Sequence, residues 1–183
     1  RKKIGDVILV VVQHVNNEVG SIEPIPDIGA ICVDNKVPLM VDAAQSLGKL
    51  EIDVKKWGVT YLAGSSHKIY GPKGVGIFYR DSSSNYDLKP IIHGGGHEQG
   101  LRSGTLNVSG IVGFGQAIEL AQEKMDDETN RLRELADVFI ERLNKEGVQY
   151  FVNGSQENRV PGNLNICFTG VDADWIIIHT PEI

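Results

Sequence analysis

The chain has 183 residues, 41% hydrophobic and 23% charged, a composition ordinary for a water-exposed globular protein of about one domain. Its formal net charge of −6 argues against a direct nucleic-acid partner, because phosphate binding requires clustered Lys and Arg. The longest apolar run, Val7–Val12, is six residues, far short of the roughly 20 that cross a bilayer, so no membrane association is expected. Two cysteines, Cys32 and Cys167, are too few for a disulfide framework and suit a reducing compartment.

Strand-like apolar runs alternate with helical patterns along the first half, the signature of βαβ units and a mainly parallel sheet. Asp6–Val12 shows no polar alternation and reads as a strand buried on both faces. Pro24 and Pro26 open a short amphipathic helix over Ile28–Val33. Further strands are expected at Pro38–Val41, ending in Asp42; at Val59–Ala63, ending in Gly64-Ser65-Ser66-His67-Lys68; and at Gly74–Tyr79.

A long loop then runs from Asp81 to His97, and Ser109–Asn144 is largely helical, with Glu141 and Lys145 placed as a pair worth a few tenths of a kcal/mol at about that spacing. Val148–Val152 and Asn163–Phe168 read as strands of a second, smaller unit. In the latter, Leu164, Ile166 and Phe168 alternate with Asn163, Asn165 and Cys167, one face apolar and one polar. The opening at Arg1, directly before an apolar strand, and the abrupt close after Trp175–Ile178 and Pro181 suggest a piece of a longer chain.

In open α/β sheets ligands bind beyond the carboxyl ends of the strands. Polar residues gather there: His14, Asn16 and Asn17 after the first strand, Asp42 and Gln45 after the second, Ser65, His67 and Lys68 after the third. A carboxylate and a lysine at the mouths of neighbouring parallel strands suggest pyridoxal phosphate. The lysine forms an imine with it, and the carboxylate keeps its ring nitrogen protonated. Each residue taken singly has a plainer reading. Asp42 suits a helix cap, Lys68 a solvated surface, and Asn17 a turn.

Gly71–Gly76 lacks the spacing of a phosphate loop and reads as a tight turn feeding a strand. His93 and His97 flank three glycines, which give no rigid frame to aim two imidazoles, so no metal is expected. The glycines suit a close passage of backbone past a ligand.

Five segments in order, His14-Val-Asn-Asn-Glu-Val-Gly20, Val41-Asp-Ala-Ala-Gln-Ser46, Ser66-His-Lys-Ile-Tyr-Gly-Pro-Lys-Gly74, His93-Gly-Gly-Gly-His97 and Arg102-Ser-Gly-Thr-Leu106, resemble the NifS/IscS-type cysteine desulfurases. These belong to the class V aminotransferase group of fold-type I pyridoxal-phosphate enzymes. The resemblance covers nearly the whole chain and weakens after about Asp172. It implies an α/β fold, with residues 1–122 as the C-terminal half of the cofactor-binding large domain. Residues 123–183 would be a long linking helix and the start of a small α+β domain.

For the matching positions, the resemblance implies that Lys68 carries the imine and moves protons, helped by burial that keeps its amine neutral, with His67 beside it in the catalytic group. Asp42 would pair with the ring nitrogen, Asn17 and Gln45 would contact the phenolic oxygen, and Ser65 and His67 would hold the phosphate. Thr105 would reach the phosphate bound in the other subunit of a homodimer.

The implied reaction converts L-cysteine to L-alanine and passes sulfur to a protein persulfide, for iron–sulfur cluster or thiolation pathways. A sulfur-acceptor or scaffold protein is then an expected partner. The implied compartment is the cytoplasm, or the mitochondrial matrix or plastid in a eukaryote. The persulfide-forming cysteine of the family falls outside this sequence, so this piece alone is expected to be inactive. Cys32, inside a helix, and Cys167, inside a strand, read as structural. The alternatives are another class V enzyme, such as a selenocysteine lyase or aminotransferase, and a non-enzymatic assembly fragment.

Overall fold

The computed structural model describes residues 6–180, so Arg1 and Pro181, the ends singled out in the sequence, lie outside the described residues. Four strands form one sheet in the order β1 (Val10–Gln13), β2 (Leu39–Asp42), β3 (Tyr61–Ser65), β4 (Gly76–Arg80). The β1–β2 and β2–β3 pairs are parallel. The last pair is antiparallel, because the short Gly71–Gly76 turn returns the chain beside β3 without a crossover. The sheet is therefore mainly parallel, as expected, with one reversed edge.

Helix α1 (Ile25–Asp34) carries Pro26 in its first turn, where a missing N–H costs nothing, and Asp27 beside the positive helix end. Its buried Ile25 and Cys32 pack with Leu39, Val41, Ala43, Val59 and Leu62 into the main core. Burial of each larger side chain contributes roughly 1.5–3 kcal/mol. Gly29 is required at the contact: a Cβ there would lie 1.8 Å from the Trp57 carbonyl oxygen, so any side chain would push the helix off the Trp57 loop.

Alternation along the strands puts Leu39 and Val41 on the α1 face, and Val11, Gln13, Met40, Asp42, Tyr61 and Ala63 on the opposite one. The expectation for the first strand needs correction here. It is shorter than Asp6–Val12, and it is not buried on both faces, since Val11 is 59% exposed and Val7, Ile8 and Leu9 are exposed too. The reason is position. Among the described residues β1 pairs only with β2, and no described element packs over Val11.

The long helical stretch is two helices, α2 (Val108–Glu123) and α3 (Met125–Lys145), divided at Lys124. Asn107 caps α2 by accepting from the Gly110 amide at 3.1 Å. The ion pair among the described residues of α3 is Glu128–Arg131, rather than the expected Glu141–Lys145. β5 (Tyr150–Val152) and β6 (Ile166–Phe168) pair antiparallel as a separate two-stranded sheet, followed by α4 (Ala173–His179). Within the described residues no helix is long and apolar enough to cross a membrane.

Candidate active site

The three parallel strands end together. The His14 amide donates to the Asp42 carbonyl at 2.8 Å, and the Ala43 amide donates to the Ala63 carbonyl at 2.8 Å, so the bends after β1, β2 and β3 are held level. Asn17, Asp42, Gln45, Ser65, His67 and Lys68 all lie at this carboxyl edge. A groove of about 610 Å3 lies at the opposite end, beside Pro38 and Thr60. Strand polarity, rather than concavity, marks the chemical edge.

At the first mouth, two adjacent asparagines divide the work. Asn16 Oδ1 accepts from the Glu18 and Val19 amides, both at 2.9 Å, and so builds the turn that the sequence left open for Asn17. The Asn17 side chain is exposed and makes no hydrogen bond among the described residues. His14 leaves the edge altogether. Its ring is 4% exposed and stands edge-on to Trp57 with centroids 5.2 Å apart, on the α1 face. Its Nδ1 has no partner among the described residues, and burial lowers its pKa.

At the second mouth, Asp42 Oδ1 accepts from the Ala44 amide at 2.9 Å, a local turn contact that leaves Oδ2 without a partner among the described residues. Gln13 is its register partner on β1 and faces the same way, roughly 4.8 Å away along the hydrogen-bonding direction. Gln13, one residue past the expected Asp6–Val12 strand, was not singled out from sequence, because residue order carries no mark of which partner a residue meets across strands. Gln45 is half-buried in the turn that follows.

At the third mouth, the chain enters a single tight helical turn, Ser66–Ile69. Ser66 and Ile69 point inward; Ile69 joins Phe114 and Ala117 in a second core cluster under α2. His67 and Lys68 are thereby turned outward, and Ser65 stays half-buried at the strand end. Tyr70 closes the turn in the left-handed conformation, φ 64°, costing about 1–2 kcal/mol that the Ile69 anchor offsets.

Lys68 is exposed, contrary to the burial expected for it. The buried-amine character lies instead on Lys49, which is half-buried, with its pKa lowered by burial and then by the charge of Lys68 nearby. No sequence signal pointed to Lys49, since it follows an unremarkable Ser-Leu-Gly turn.

Thr105 makes no hydrogen bond to the other candidates. It leaves a loop folded on itself: Ser103 is buried, its Oγ accepts from the Gly96 amide at 3.2 Å, and the Gly104 amide donates to His97 Nδ1 at 3.3 Å. Among the described residues no cluster of three His, Cys, Asp or Glu side chains could hold a metal. Cys32 is buried in the α1 core, where burial raises its thiol pKa. Cys167 is exposed on β6 rather than packed.

A family profile described as "Aminotransferase class-V" matches residues 2–178. The chain belongs to the class V aminotransferase family. Among class V proteins, it is 45% identical over 179 residues to "Cysteine desulfurase IscS" of Ruthia magnifica subsp. Calyptogena magnifica, covering 97% of this chain and 44% of that protein. A "NifS-like protein" from Rickettsia africae superposes with a TM-score of 0.88 at 29% identity, covering 95% of this chain and 48% of that one. Another solved structure titled "NIFS-LIKE PROTEIN" gives 0.89 at 36% identity, covering 97% and 48%. The chain thus has the α/β class V fold and spans about half the length of the relatives it matches.

Proposed function

We propose that this chain carries the cofactor-binding edge of a pyridoxal-phosphate-dependent cysteine desulfurase, which in the whole protein acts on L-cysteine. The observation that carries the reading is the pairing of Asp42 and Lys68 at the mouths of adjacent parallel strands, with four further polar candidates on the same edge. The donor set fits the cofactor. It offers a free carboxylate oxygen for a ring nitrogen, two carboxamides for a phenolic oxygen, a hydroxyl and an imidazole for a phosphate, and an amine for an aldehyde.

When bound, pyridoxal phosphate supplies the electron sink that makes bonds beside the substrate amine breakable. Lys68 Nζ would hold the cofactor's aldehyde and would carry protons to and from the substrate. That work needs a neutral amine. Asp42 keeps a proton on the ring nitrogen through Oδ2. Asn17 and Gln45 hold the phenolic oxygen, and Ser65 and His67 the phosphate.

Thr105, exposed on its loop, would reach the phosphate of a second copy in a homodimer. Sulfur leaves cysteine as its carbon–sulfur bond breaks and forms a new bond to a protein thiol, giving L-alanine and a persulfide. From there it passes to an acceptor protein in the cytoplasm. Residues 1–122 would form part of the cofactor domain and 123–183 the beginning of a smaller one.

The test is a visible absorption scan after adding pyridoxal phosphate. The chain is expected to develop a protein-bound band that Lys68→Ala abolishes. No band, or a band indifferent to that substitution, contradicts the reading.

A further inference from the structure

The turn displaying Asn17 is held from outside by a segment far away in sequence. Arg159, between β5 and β6, spreads its planar guanidinium over several carbonyls. Nη1 donates to the Val19 carbonyl at 2.8 Å and to Asn163 Oδ1 at 3.1 Å, with a longer contact to the Asn163 carbonyl at 3.5 Å. Nε donates to the Ser155 carbonyl at 3.0 Å, and Nη2 to the Asn153 carbonyl. Asn163, its Oδ1 fixed by Arg159, donates from Nδ2 to the Glu18 carbonyl at 3.2 Å, as does Asn165 Nδ2. The Val160 amide donates to the Gly20 carbonyl at 2.9 Å, and the Ser155 amide to Ser21 Oγ at 3.0 Å.

Three successive carbonyls after Asn17 are therefore tied down, those of Glu18, Val19 and Gly20. From inside the turn, Asn16 Oδ1 holds the amides of Glu18 and Val19. Gly20 is part of the design. It has φ +69°, and a Cβ there would come within 2.5 Å of Asn163 Oδ1, so only glycine lets the clamp close. Every backbone group next to Asn17 is committed while its own carboxamide is left unused. Such an arrangement fixes the direction in which that carboxamide is presented.

We propose that Arg159 is a positioning residue for Asn17: it locks the Asn16–Gly20 turn and thereby aims the Asn17 carboxamide at the cofactor's phenolic oxygen. The inference rests on the proposed function for the identity of what Asn17 meets, but the clamp itself does not. The chemistry suits arginine. Its guanidinium stays charged and its donors fan out in one plane, so one side chain serves carbonyls from both the turn and the β5–β6 connection. A lysine carries its three donors on one nitrogen and cannot span carbonyls spread along the guanidinium plane.

The experiment measures amide hydrogen exchange in the 183-residue chain, with no cofactor added, for the parent, Arg159→Ala and Arg159→Lys. Arg159→Ala is expected to speed exchange at Glu18, Val19 and Gly20 by about tenfold or more, with β2 and β3 within about twofold, as local opening rather than global unfolding requires. Arg159→Lys should fall between. Unchanged turn exchange, or equal acceleration everywhere, overturns the clamp.

The second readout is pyridoxal-phosphate affinity, followed by the absorption band, in a cycle with Asn17→Ala. Arg159→Ala is expected to weaken binding by about fivefold or more in the parent and by less than about twofold when Asn17 is already alanine, the signature of coupled residues. Equal weakening in both backgrounds shows that Arg159 does not act through Asn17 and overturns the proposal. If the unsubstituted chain takes up no pyridoxal phosphate, the proposed function fails, and the exchange result alone decides whether Arg159 holds the turn.

Discussion

The two faces of the four-stranded sheet are built from the same strands and treated oppositely. On the α1 face, Leu39 and Val41 are fully buried and Val59 nearly so. On the other, Val11 is more than half exposed, and Asp42 and Ser65 stand at the open end of the strands. One residue's shift in register exchanges the two sets. The closed face thus carries the aliphatic core, while the open face, apart from the buried Tyr61, is left to chemistry, and the two can be perturbed separately.

The largest effect should come from the closed face. Leu39→Ala is expected to cost about 2–5 kcal/mol of folding stability, whereas Val11→Ala on the open face should cost less than about 0.5 kcal/mol. Urea denaturation of both variants checks this; equal losses would erase the distinction between the faces. Asp42→Asn should show the reverse pattern, with urea midpoint and bound pyridoxal phosphate retained. In the full-length protein, turnover should drop by at least about tenfold, roughly 1.4 kcal/mol of barrier. A smaller drop would remove Asp42 from the role of holding the ring-nitrogen proton.

His14 gives a finer test, because it follows the first strand in sequence yet packs into the closed face. Its folded-state pKa lies below the ordinary 6.5, owing to burial. The unfolded chain therefore binds a proton at higher pH than the folded one. Its stabilising neutral state is fully retained above pH 6.5 and is lost progressively as pH falls through the lowered folded value. Thermal melts across that window should show the decline, and His14→Gln should flatten it. An equally steep decline in the variant would assign the pH dependence to other groups.

Much of this edge could be read from residue order alone. The strand ends are visible because apolar runs stop at polar clusters, and parallel strands bring those stops to one side. Hence Asp42 and Lys68 can be associated from residue order. What the order could not convey depends on partners distant in sequence. Asp6–Val12 looks the same whether a strand is covered on one face or two, so the exposure of Val11 was missed. Asn163 and Asn165 were seen as a polar strand face, but nothing local says that this face grips the turn at Glu18. Arg159 lies 140 residues from Val19 and carries no motif. The exposure of Lys68, with Lys49 as its half-buried neighbour, likewise follows from how Ile69 is pinned beneath α2.

Lys49 also sharpens the decisive measurement. An amine with lowered pKa is a better nucleophile at neutral pH, so Lys49 competes with Lys68 for an aldehyde, as does Lys73 by proximity in sequence. Borohydride reduction of the pyridoxal-phosphate-loaded chain, followed by peptide mapping, identifies the lysine that holds the cofactor. The label is expected on Lys68 and nowhere else in comparable yield; label on Lys49 or Lys73 in its place would contradict the assignment of this edge as the cofactor site.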